Sequence, residues 1–201
     1  MKYYLRTLLF SVIILSFCSL YILYTDKEIT FINFNKSIAD VSVILISFSL
    51  AFSGISFFWK TFAKYEYYRK YLGITGFVYA LIHVTITLTI LLNSYNIINS
   101  TSNVIAFICG LLAFIIFLIM LDISNKYAIE LLGSHFWKII MRSGYFGLLL
   151  VIIHIYLKDI EIWNKWWSGM IPVPPLSFLL FTLSISIICL RVLIQYLINI
   201  K

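Results

Sequence analysis

His83 and His154 each lie inside a long uncharged run, Lys70 to Asp122 and Arg142 to Lys158 respectively. A neutral imidazole is a good ligand for iron, copper and zinc. Two of them on different helices can fill both axial positions of a haem iron, which then needs no further protein ligand. Zinc is a poorer fit, because it wants three or four ligands. The competing reading is structural: a buried histidine can simply hydrogen-bond a neighbouring helix. The third histidine, His135, falls in a charged connection and reads as a solvated side chain. Cys18, Cys109 and Cys189 fall in three separate runs with no CxxC or CxxCH, so a disulfide, a zinc ribbon and covalent haem attachment lack support. They read as small buried hydrophobes. GxGxxG, P-loop and HExxH motifs are also missing from the sequence.

The elements that must hold the two histidines follow from composition. The chain has 201 residues, 62% hydrophobic and 11% charged, which excludes a soluble globular protein. An aromatic content of 18% excludes disorder. A helix crossing a bilayer needs about 20 largely apolar residues. The uncharged runs predict six such helices, over residues 7–25, 41–59, 71–92, 104–121, 138–157 and 176–199. The fold class is therefore an all-α membrane protein, a six-transmembrane-helix bundle forming a single domain over residues 1–201. The N-terminal run reads as a first span, because it is long for a signal peptide and its small residues, Ser16 to Cys18, lie within it. With Asp40 and Asp122 taken as boundaries, no Asp or Glu is expected inside a span, which argues against an ion-coupled relay.

Orientation comes from Lys and Arg. With both termini cytoplasmic, eleven of these residues fall inside (Lys2, Arg6, Lys60, Lys64, Arg69, Lys70, Lys126, Lys138, Arg142, Arg191 and Lys201) against four outside (Lys27, Lys36, Lys158 and Lys165). The net charge of +7 is then a topological signal in contact with the lipid bilayer, with no nucleic acid implied. Trp163, Trp166 and Trp167 read as an outer aromatic belt; Trp59, Tyr68, Tyr71 and Trp137 read as an inner one. Measured from the inner helix ends at about 1.5 Å per residue, His83 lies about 18 Å and His154 about 24 Å along, both in the outer half of the bilayer. Gly76 and Gly147 each precede their histidine by seven residues, which is within roughly 20° of the same helix face. Each glycine either leaves room for a flat ligand or lets two helices pack closely.

The run Arg69-Lys70-Tyr71-Leu72-Gly73-Ile74, with Phe77, Tyr79-Ala80 and His83, resembles the third-helix signature RR-x-LGL-x-x-F-x-Y-x-x-x-H of the YedZ/MsrQ family. Leu132-Gly133, Trp137, Arg142, Tyr145 and His154 are similar to its LG…W-x-x-LHR-x-x-Y…H pattern, and Leu121 to Asn125 to its LAITSN loop. These matches cover roughly the third to fifth helices. That family is the haem-binding membrane subunit of the periplasmic protein-methionine-sulfoxide reductase system, within the ferric-reductase-like transmembrane group. The resemblance implies a haem b electron-transfer subunit of the bacterial inner membrane, with His83 and His154 as axial ligands. It implies a periplasmic molybdenum-containing methionine-sulfoxide reductase as acceptor and leaves room for FMN. The chain has no nucleotide-binding motif of its own, so the donor acts in trans, as a cytoplasmic flavin reductase or a membrane quinol.

One departure bears on a second haem. Met141 stands where the family has the histidine of its LHR motif, and Arg69 stands opposite. Met can bind haem iron, but thirteen residues put it about 140° from the face of His154, so a shared seam needs a kink near Gly144 or Gly147. A protonated guanidinium has no lone pair to offer; Arg69 and Arg142 read as topogenic charges or partners for propionates. One haem b is therefore the expectation. A ferric or other metal reductase component would use the same haem, and a non-haem scaffold or transporter would keep the helices and use the histidines as hydrogen-bond partners.

Overall fold

Each long apolar run is a helix in the computed structural model, which describes residues 2–27, 30–93 and 101–200. The long helices are α1 (Lys2–Asp26), α2 (Phe31–Phe58), α3 (Tyr68–Asn93), α4 (Thr101–Asp122), α5 (Lys126–Trp167) and α6 (Leu176–Ile200), with a short 3₁₀ helix at Lys60–Tyr65. All six are long and apolar enough to cross a membrane, the architecture of a multi-pass membrane protein. Large side chains such as Ile13 and Leu20 stay about two-thirds exposed on the outside of the bundle, where a bilayer would cover them. Most of the polar stretch expected to link α3 and α4 lies outside the described residues, as does Lys201.

Helix starts follow local chemistry. Thr30 Oγ1 accepts the Asn33 N–H at 3.1 Å and begins α2. Asn125 Oδ1 accepts the Ala128 N–H at 2.8 Å and begins α5. Three boundaries differ by ten residues or more from the sequence reading, one of them the end of α5 at Trp167 rather than at 157. The second helix begins at Phe31 rather than 41, so Asp40 is a buried residue within α2 and the expectation of carboxylate-free spans is corrected. Charge did not end that helix because Lys36 finds Asp159 of α5 at 3.9 Å. The fifth helix runs from Lys126 with a break at Gly133, whose φ of 72° and ψ of 155° are open to glycine alone. His135, expected in a loop, is instead an exposed residue just after this break.

α2 is central and packs against α1, α3 and α6. α3 lies along α2, and α5 lies along α4. Between these two tight pairs the packing is thin: α3 touches α4 lightly and meets α5 hardly at all. One part of the core gathers Ile46, Leu50, Phe77, Phe117, Leu148 and Ile187; another joins Cys18, Val41, Leu45, Leu72 and Leu180. Of the cysteines, only Cys18 is fully buried; Cys189 is exposed on α6. Trp163 leaves the expected aromatic belt: it is 2% exposed, donates to Ser177 Oγ at 3.1 Å and packs edge-on to Phe181 with ring centroids 4.9 Å apart.

Candidate functional site

The helices that carry the two histidines barely touch one another, and each histidine is gripped by the helix paired with its own. On α3, His83 Nδ1 lies 3.0 Å from Asn35 Oδ1 and 3.3 Å from the Asn35 carbonyl oxygen of α2. Asn35 Nδ2 donates to Thr87 Oγ1 at 3.0 Å, so the amide links the imidazole to a second residue of α3. On α5, His154 Nδ1 lies 2.7 Å from the Ala106 carbonyl oxygen of α4. A carbonyl oxygen can only accept, so in both rings Nδ1 carries the proton and donates. The neutral tautomer then leaves a lone pair on Nε2, the atom a metal would take. Both side chains are only part-buried, and they lie within electrostatic reach of one another.

Their position along the bundle is set by the polar end nearby. Asn35 precedes Lys36, whose partner Asp159 lies five residues beyond His154, and Lys158 donates to Asn103 Oδ1 at 3.4 Å. His83 therefore sits level with Asn35, the neighbour of Lys36, and His154 lies between one and two turns from Asp159. Gly76 and Gly147 share the faces of their histidines, and both are sites of close helix packing. A Cβ on Gly76 would come within 3.0 Å of Leu45 and Ile46 of α2, and one on Gly147 within 3.1 Å of Phe117 of α4. Gly110 is the glycine that shapes the histidine site: a Cβ there would stand 2.9 Å from His154 Nδ1. Sequence reasoning missed Asn35, Ala106 and Gly110. Asn35 lay outside the expected span, and neither Ala106 nor Gly110 carries a chemical label.

Arg69 and Met141 are brought together, but far from the histidines. Both line a cavity of about 450 Å³ at the opposite end, bounded by α2, α3, α4 and α5. Neither His83 nor His154 borders it. Phe77 and Phe117 are on its wall, and Phe77 stacks on Phe114 with centroids 5.1 Å apart and planes 20° from parallel. Arg142 is exposed on α5. Among the described residues no three His, Cys, Asp or Glu side chains gather as a metal-binding group. Among the described residues the two histidines thus stand without a third His, Cys, Asp or Glu grouped with them.

No protein-family model matches this chain. No curated protein is significantly similar to it.

Proposed function

We propose that His83 and His154 are the axial ligands of one haem b, and that the protein carries electrons across a membrane without substrate chemistry of its own. The observation that carries this reading is the pair of Nδ1–H donors fixed on oxygen acceptors, Asn35 for His83 and Ala106 for His154. Such second contacts set the tautomer, orient the ring and make Nε2 a stronger donor. The thin packing between α3 and α5 is where a flat group could lie between the two rings. Haem supplies a one-electron couple when bound, and two histidine ligands leave no open position for oxygen. The chain's part is to hold both rings at fixed attitude in an apolar surround and to keep water away from them.

The finer assignment rests on the motif residues around His83 and His154. The resemblance to the ferric-reductase-like group, and within it to the methionine-sulfoxide reductase subunit, favours a cytoplasmic flavin or quinol donor and a periplasmic reductase acceptor. Both termini would then be cytoplasmic, in the inner membrane. A second haem, and FMN, draw less support: the wall of the cavity at the Arg69 end carries the thioethers of Met120 and Met141 but no histidine. The test is an absorption spectrum of protein purified in detergent from cells with ample haem. The expected result is a Soret band with the sharp reduced bands of six-coordinate low-spin haem b; its absence would sink the reading.

A further inference from the structure

The cavity at the Arg69 end is unexplained by a single bis-histidine haem. Its volume of about 450 Å³ lies within the roughly 300–1,000 Å³ of small-molecule sites. Its depth is apolar, walled by Ile46, Leu50, Ile74, Phe77 and Phe117, while Arg69, Lys70 and Lys126 stand on its wall where α3 and α5 begin. Among the described residues none of these three cationic side chains has a hydrogen-bond or ion-pair partner. The carboxylate on the wall, Glu66, accepts instead from Ser56 Oγ at 3.1 Å. Arg69 and Lys70 also occupy the first turn of α3, the positive end of its dipole, so their charges oppose the helix until an anion arrives.

We infer that this cavity seats one anionic phospholipid, with its phosphate held by Arg69, Lys70 and Lys126 and an acyl chain running in along Ile74 towards Phe77. A basic mouth over an apolar shaft between membrane helices is the arrangement that recognises an acidic lipid headgroup. A free phosphate would use the mouth and leave the shaft without an occupant. The lipid would bridge α3 and α5, the two helices that hold the histidines and otherwise hardly meet. This site goes beyond the haem reading and does not depend on it.

The experiment exposes detergent-purified protein to mixed micelles holding equal phosphatidylglycerol and phosphatidylcholine and counts bound lipid by native mass spectrometry. Wild type is expected to keep one phosphatidylglycerol per chain, with a preference of about tenfold over phosphatidylcholine. Lys70→Gln combined with Lys126→Gln should bring that preference close to parity, whereas Lys64→Gln, on the 3₁₀ helix away from the cavity, should leave it intact. Ile129→Trp keeps all three cations but fills the wall, and should lose the bound lipid. His83→Ala should retain it whether or not haem is present, so this proposal and the haem reading fail separately. Equal retention of both lipids by wild type, a preference that survives in the double variant, or haem or flavin recovered from the cavity would overturn the proposal.

Discussion

Asn35 holds His83 through a carbonyl whose amide nitrogen is committed to Thr87, so the orientation of the ring depends on a three-member chain across α2 and α3. Removing such a second contact typically weakens metal affinity by about 10–100-fold. Asn35→Leu is accordingly expected to lower haem retention by that factor with helix content unchanged, read by haem per chain against circular dichroism. Unaltered retention would mean that the contact does not orient a ligand. His83 and His154 were legible in the sequence because intramembrane histidines are rare. Their partners were hidden: Asn35 sits among charges that look like a helix boundary, and the Ala106 acceptor is backbone. Arg69 and Met141 were singled out by likeness alone, and the fold seats them together in a cavity that periodicity could not reveal.

At the scale of elements, the apolar runs located all six helices, since their length is fixed by the bilayer. Their ends were misplaced where charges lie within a helix. Lys36 is neutralised across the bundle by Asp159, and Asp40 is buried one turn later with its Oδ2 lacking a hydrogen-bond partner, features that depend on tertiary contact. Gly133 marks the other surprise. It breaks α5 with backbone angles of the glycine-only region, yet nothing lies within 4 Å of where its Cβ would be. Gly133→Ala should therefore cost about 1–3 kcal/mol purely through backbone strain, seen as a lower unfolding midpoint. A neutral result would show that the helix straightens through this point at no cost.

For the whole molecule, six helices of spanning length would put both termini on one side, and in the proposed orientation the excess of Lys and Arg makes that side the cytoplasmic one. Cysteine labelling from outside the cell is expected to miss residues introduced at either terminus and to reach one introduced at Met170, which is 74% exposed between α5 and α6. Labelling of the termini alone would invert the bundle. The two tight helix pairs, α2–α3 and α4–α5, meet along a seam with a histidine on each side, and this is the arrangement on which electron transfer would rest. The most direct measurement is haem per chain in wild type, His83→Ala and His154→Ala, each purified as folded protein from haem-replete cells. One haem in wild type and a loss of that haem in both variants is the expected result. A haem that persists in either variant, or a wild type that binds none, would contradict the bis-histidine site.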